Sequence, residues 1–121
     1  MAWDVVQINC DAIVDERSFH EEFAQAFGFP DQYDYTTVSW LKLLSQLDNA
    51  EKRLTAVYCE PNEVITIELL NVAAFAARCP EQMTLCIEGV AYINWARIEQ
   101  DLKPVLALAF YGQQYYDLSD F

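Results

Sequence analysis

Side chains that could carry covalent or acid–base chemistry are few and scattered in this sequence. The single histidine, His20, stands in a stretch with helical spacing and belongs to no recognisable nucleophile–base arrangement. We therefore expect His20 to be an exposed polar residue of a helix. Glu21 and Glu22 are adjacent, so they point to different sides of that helix and do not form a paired-carboxylate site. The sequence predicts no catalytic residue and no enzyme.

Metal and cofactor ligands are not spaced as such sites require. Four cysteines form no CxxC pair, and their apolar neighbours favour buried, reduced thiols: Cys10, Cys59, Cys79 and Cys86. Asp31 and Asp34 could contact a cation, but their loop lacks the spacing of calcium sites, which favours a solvated turn. With three glycines and neither GxGxxG nor a P-loop, a nucleotide cradle is not indicated. We expect no metal and no cofactor.

The stretch DQYDY, residues 31–35, is the most distinctive candidate for a binding site. Tyr33 and Tyr35 are large, rigid and amphipathic side chains of the kind that anchor protein interfaces. Asp31 and Asp34 surround them with negative charge. The alternative is that one tyrosine packs inward and the other is ordinary surface, so a partner-binding loop and a structural loop both stay open.

Periodicity predicts seven elements along the chain. A first strand lies in DVVQINC, and a helix in SFHEEFAQAF has a capping box formed by Ser18 and Glu21 and ends at Gly28. The remaining elements are a helix in TTVSWLKLLSQLD, a strand in EVITIELL, a helix in VAAFAARC, a helix in PEQMTLCIEGVAYINWARIEQD and a strand in PVLALAFYG. Gly89 lowers the expectation of one unbroken helix there. Residues 48–63 are a long connection with a short extended piece at residues 55–58.

Strands separated by helices predict an α/β fold, with a small three-stranded parallel sheet covered by about four helices. Neither a repeat nor a linker divides residues 1–121, so we expect a single domain. The tail QQYYDLSDF is acidic and aromatic. It is interpreted as a loose terminus, a packed edge or a second partner-binding strip.

The charge of the chain restricts its partners. Nineteen acidic residues against seven basic ones give a net charge of −12, which disfavours nucleic acid and attracts a basic partner, although the charge could serve solubility alone. Apolar runs are too short for a transmembrane helix, and a signal peptide is not indicated. We expect a cytoplasmic protein that does not bind membranes.

From Ile8 to Tyr111 the chain resembles the barstar family. The resemblance is carried by the order and spacing of FHEEFAQAFGFPDQY, VSWLKLLSQLD, ITIELLNVAAFAARCPE, INWARIE and PVLALAFY. It implies an immunity protein that binds one-to-one to a toxin, a basic nuclease domain such as a ribonuclease, and covers its active site with the loop and second helix of residues 31–46. The partner-binding residues implied are Asp31, Gln32, Tyr33, Asp34, Tyr35, Thr37, Val38, Lys42 and Ser45.

Three positions depart from the family pattern. Asp34 replaces a glycine, Val38 replaces an acid or amide, and Lys42 replaces an acid. The family's carboxylates mimic substrate phosphate, so their loss predicts a different toxin, with the negative charge moved to the loop and with Val38 and Lys42 rejecting wrong partners. The alternative is a regulatory protein-binding module that kept the fold without inhibiting a toxin.

Overall fold

Strands and helices alternate along the chain in a computed structural model that describes residues 3–112. The elements are β1 (Val5–Asn9), a 3-10 turn (Cys10–Ala12), α1 (Glu16–Phe27), α2 (Thr37–Leu44), β2 (Ile65–Leu70), α3 (Val72–Arg78), α4 (Pro80–Glu99) and β3 (Leu106–Tyr111). The predicted order and the α/β class with three strands and four helices are confirmed. The predictions for the tail lie outside the described residues.

The three strands form one parallel sheet in the order β1-β2-β3. Alternate residues of β2 are buried beneath the helices: Ile65, Ile67 and Leu69. The opposite face carries a polar contact across all three strands. Gln7 donates to one oxygen of Glu68 at 3.1 Å, and the Tyr111 hydroxyl donates to the other at 2.9 Å.

The start of α1 differs from the prediction. The helix begins at Glu16 rather than Ser18, and its N-cap is Asp15. The Asp15 carboxylate accepts the Ser18 N–H at 2.8 Å, and the Ser18 hydroxyl accepts the Asp15 N–H at 3.0 Å. Glu21 is therefore not the capping partner and instead pairs with Arg17 at 2.8 Å. A capping box does form, three residues earlier than predicted.

Helix α4 continues unbroken through Gly89, where the missing side chain leaves room for a neighbouring helix to pack. A Cβ atom at this position would lie 2.5 Å from Cζ3 of Trp40. The Trp40 side chain is fully buried and contacts the rings of Phe19 and Phe23, with centroids 5.7 and 5.4 Å away. Gly89 thus allows α2 to approach α4 closely enough to bury this indole.

The connection between α2 and β2 contains neither a helix nor a strand, as predicted for most of its length. The extended piece expected at residues 55–58 does not join the sheet. Its N–H groups instead bond to the end of α1, since Ala56 donates to the Gly28 carbonyl and Val57 to the Phe27 carbonyl, both at 3.0 Å. This long segment is thereby fixed against α1.

The cysteines are buried and free, which confirms the prediction of reduced structural thiols. Burial raises the pKa of both Cys10 and Cys59 to about 11, so these thiols are protonated at neutral pH. Within residues 3–112 no helix has the length and apolar character needed to span a bilayer.

Candidate partner-binding site

The predicted site begins where α1 ends. Gly28 has φ +67°, a left-handed conformation that ends the helix, and a Cβ atom there would lie 2.4 Å from Cβ of Ala56. Phe29 then donates its N–H to Ala24 at 3.0 Å, and Tyr33 donates to Pro30 at 2.9 Å. These bonds turn the chain sharply, so the loop of residues 29–36 is built on a fixed base.

Tyr33 and His20 join this loop to α1. The Tyr33 hydroxyl is hydrogen-bonded to Nδ1 of His20, and both side chains are buried, with exposed fractions of 9% and 1%. The Tyr33 ring also packs against Phe29, with centroids 4.8 Å apart. Our expectation that His20 is exposed is therefore wrong. It lies three residues before Phe23 and seven before Phe27, on the buried face of the helix.

Burial decides the protonation of this pair. It lowers the pKa of His20 and raises the pKa of Tyr33, so the pair is neutral at neutral pH. Among the described residues, Nε2 of His20 has no hydrogen-bond partner. The bond to Tyr33 is then the polar contact that holds the imidazole in place.

Tyr35, by contrast, faces outward. Its ring is 37% exposed and lies 5.3 Å from the ring of Tyr33, centroid to centroid. The guanidinium of Arg17 lies over the Tyr35 ring, 5.1 Å from its centroid, and also forms an ion pair with Glu21. The backbone of Tyr35 has φ +60°, a left-handed conformation that is uncommon for a bulky residue.

Asp34 and Thr36 organise the start of α2. The Thr36 side chain is the N-cap and accepts the Ser39 N–H at 3.2 Å. The Asp34 carboxylate accepts the Thr36 hydroxyl at 2.7 Å and the Thr36 N–H at 3.2 Å. The hydroxyl groups of Ser39 and Thr36 hold the pKa of Asp34 below its usual value. Asp34 thus stays ionised while it orients the turn that presents Tyr35.

Helix α2 presents a mixed face to solvent. Its apolar face is buried through Trp40, Leu43 and Leu44, and on the opposite face Val38 is 58% exposed. Lys42 is exposed as well. The surface of α2 therefore offers an apolar side chain and a cation rather than carboxylates.

Comparison with known protein families bears directly on this arrangement. The family model for barstar, described as a barnase inhibitor, matches residues 3–105. The chain belongs to the barstar family. No curated protein and no solved structure matches the chain. The resemblance inferred from the sequence is thereby confirmed, and with it membership of a family of protein inhibitors that bind a ribonuclease.

The residues that the barstar resemblance assigned to partner binding form a continuous stretch of loop and helix, but their side chains differ in access. Those exposed are Asp31, Gln32, Asp34, Tyr35, Thr37, Val38 and Lys42. Ser45 is half-buried and donates its hydroxyl to the Lys42 carbonyl at 2.8 Å. Tyr33 is buried, so its side chain supports the site from beneath and offers little contact area. The assignment of these residues to partner binding stays a prediction.

Two further residues shape this barstar-type loop and were not singled out as parts of the site. His20 bonds to Tyr33, and Arg17 covers one side of Tyr35. Their positions on α1, three residues apart, place them on neighbouring faces beside the loop. Helical spacing from Phe23 could have identified His20. Over residues 3–112, no group of three or more histidine, cysteine or acidic side chains is placed to hold a metal ion.

Proposed function

We propose that this chain is an immunity protein that binds one-to-one to a ribonuclease-type toxin in the cytoplasm and covers its active site. Residues 1–121 act as one domain, and the loop of residues 31–35 with the exposed face of α2 makes the contact. The observation that carries the proposal is Tyr35, an exposed aromatic ring on an uncommon backbone conformation beside an ionised Asp34, in a member of the barstar family.

The loop supplies the two properties that such an inhibitor needs. Tyr35 offers rigid apolar area at low entropic cost, because its ring is already held by Arg17 and Tyr33. Asp31 and Asp34 place negative charge beside that ring, where a nuclease has the cations that bind phosphate. The net charge of −12 attracts such a basic partner over a longer distance. Binding is thus directed by charge and anchored by the aromatic ring.

Val38 and Lys42 restrict which nuclease fits. An inhibitor that matched the family pattern would carry an acid or amide at the position of Val38 and an acid at that of Lys42. Here a basic active site facing α2 would meet an apolar side chain and a like charge, which is unfavourable. We therefore propose a partner whose cations face the loop and not the helix.

The test is calorimetric titration with the toxin-like domain encoded nearest this chain's gene, with barnase as a second probe. We expect one-to-one binding and loss of nuclease activity with the first, and much weaker binding with the second. Tyr35→Ala should weaken binding at least about tenfold, since buried interface aromatics are often dominant contacts. Asp34→Asn keeps the acceptor for Thr36 and removes the charge, so it should slow association and reduce the salt dependence.

Phe110→Ala is the matched control, because Phe110 is an aromatic residue on β3 that is 51% exposed and lies outside the proposed site. Its binding should equal that of the unchanged protein. Equal binding by Tyr35→Ala and Phe110→Ala would show that the loop is not the contact surface.

The second candidate is a regulatory module that binds a protein without inhibiting it. The same two substitutions at Val38 and Lys42 favour it, because they remove the carboxylates that would occupy a phosphate site. One-to-one binding with full nuclease activity in the same mixture would select this candidate.

A further inference from the structure

A groove of about 750 Å³ lies beside the second half of α2. One wall is the second half of α2 with the segment that follows it, and the other is the end of α4. Residues of the first wall include Lys42 and Ser45, which also belong to the predicted binding surface. The groove is therefore continuous with the proposed toxin-binding surface.

The floor of the groove is held rigidly. Arg97 is 5% exposed and forms two bonds with the Asp48 carboxylate, at 2.6 and 3.0 Å. The same guanidinium donates to the carbonyls of Ser45 and Lys103, each at 2.7 Å. One side chain thus ties the end of α2 to the segment after α4, so the groove is formed before any partner arrives.

The charge of the groove is opposite to that of the chain. It is lined by three basic residues and two acidic ones, in a chain with seven and nineteen. Asp48 is neutralised by Arg97, whereas the exposed Lys42 and Lys52 form no ion pair within residues 3–112. The groove is thus lined by two lysines and one acidic residue, Glu51, that form no ion pair within residues 3–112, which leaves it a net positive charge.

The rim of the groove is aromatic. Tyr92 lines it and is 55% exposed, and it contacts the ring of Trp95, which is 56% exposed, with centroids 5.9 Å apart. Exposed tyrosine and tryptophan side chains are enriched at protein interfaces. In addition, the buried side-chain oxygen of Gln46, another lining residue, has no hydrogen-bond partner among the described residues. The groove therefore offers cations and aromatic area.

We propose that this groove binds a protruding segment of the toxin that carries aspartate or glutamate next to an apolar side chain. Lys42 and Lys52 pair with the carboxylates, and Tyr92 covers the apolar side chain. This inference rests on the proposed function. It gives Lys42, which stands where the family pattern has an acid, a direct part in binding the partner. The partner is thus basic where it meets the loop and acidic where it meets the groove.

The first experiment needs no toxin. The amide signals of the ¹⁵N-labelled protein are followed by NMR while a peptide is added. One amidated peptide has glutamates on both sides of a Leu-Phe-Leu core, and a second has glutamines in place of the glutamates. We expect the glutamate peptide to cause saturable shifts in residues 41–52 and 92–102, and the glutamine peptide to bind at least about tenfold more weakly. Lys42→Glu with Lys52→Glu should abolish the difference between the peptides.

Lys103→Glu is the matched control, since this exposed lysine also forms no ion pair within residues 3–112 but does not line the groove. It should change binding by less than about twofold. Equal binding of the two peptides, or no saturable shift in the groove, would overturn the proposal. Tighter peptide binding after removal of residues 113–121 would also overturn it, by assigning the groove to the chain's own acidic tail.

The second experiment uses the toxin-like domain encoded nearest the gene. We expect the Lys42→Glu, Lys52→Glu variant to bind it at least about tenfold more weakly, and Lys103→Glu to bind it normally. Binding that depends on Tyr35 but not on the two lysines would refute the groove while leaving the proposed function in place. Absence of toxin binding would refute the proposed function and, with it, the toxin as the occupant of the groove, even where the peptide binds.

Discussion

Replacing Tyr33 by phenylalanine tests whether the loop is held from beneath. The ring and its packing on Phe29 are kept, but the hydroxyl that bonds to Nδ1 of His20 is removed. His20 is 1% exposed, so its ring nitrogen then lies buried without a partner, which costs about 1–3 kcal/mol of the free energy of unfolding. For a chain of this size, that corresponds to a fall in Tm of roughly 4–12 °C.

The assay is urea unfolding at pH 8, where His20 is neutral in both the folded and the unfolded protein. Tyr35→Phe is the control, because Tyr35 lies in the same loop, is partly exposed, and makes no hydrogen bond through its hydroxyl to a described residue. Its free energy of unfolding should change by less than about 0.5 kcal/mol. Equal losses in the two variants, or no loss in Tyr33→Phe, would refute the conclusion that the contact with His20 anchors the loop.

Three further predictions follow from the same structure. Burial lowers the pKa of His20 from its ordinary 6.5, so as the pH falls the unfolded chain binds the proton before the folded protein does. The free energy of unfolding should therefore fall below about pH 6.5, and it should fall less steeply in His20→Asn. Urea unfolding from pH 7 to 5 measures both. Arg97→Met should lower the free energy of unfolding by about 3 kcal/mol because it strands Asp48, and adding Asp48→Leu should restore part of this loss in the same assay. Thr36→Ala should cost about 1 kcal/mol in thermal unfolding through loss of the N-cap, whereas Thr36→Ser should not.

Much of the fold follows from local pattern. The phenylalanines of residues 19–27 recur at helical spacing, and residues 64–70 are rich in β-branched side chains. The structure has a helix in the first segment and a strand in the second. The alternation of strands with helices then leaves a parallel sheet as the natural arrangement. These features depend on neighbours a few residues apart, which is why they could be predicted from the sequence.

Two of the features that prediction missed depend on residues distant in the chain. In the sequence Gly89 indicates a helix break, but in the structure it makes room for Trp40, whose ring lies 2.5 Å from where a Cβ atom would be. In the sequence His20 indicates a surface residue, but in the structure it is buried and hydrogen-bonded to the Tyr33 hydroxyl. The capping box moved for a local reason, because Asp15 lies within reach of the Ser18 N–H and a helix starting there gains an extra turn. Side-chain partners across elements therefore limit what periodicity alone can predict.

The loop separates the residues that hold its shape from those that we propose to contact a partner. Tyr33 is buried and fixes the loop, whereas Tyr35, Val38 and Lys42 project outward. Substitutions at exposed positions usually change stability by less than about 0.5 kcal/mol, so the exposed face of α2 can change its charge without loss of the fold. This explains how α2 can carry Val38 where the family pattern has an acid or amide and Lys42 where it has an acid. Asp34 differs from both, because its carboxylate also holds the turn before α2 through its bonds to Thr36.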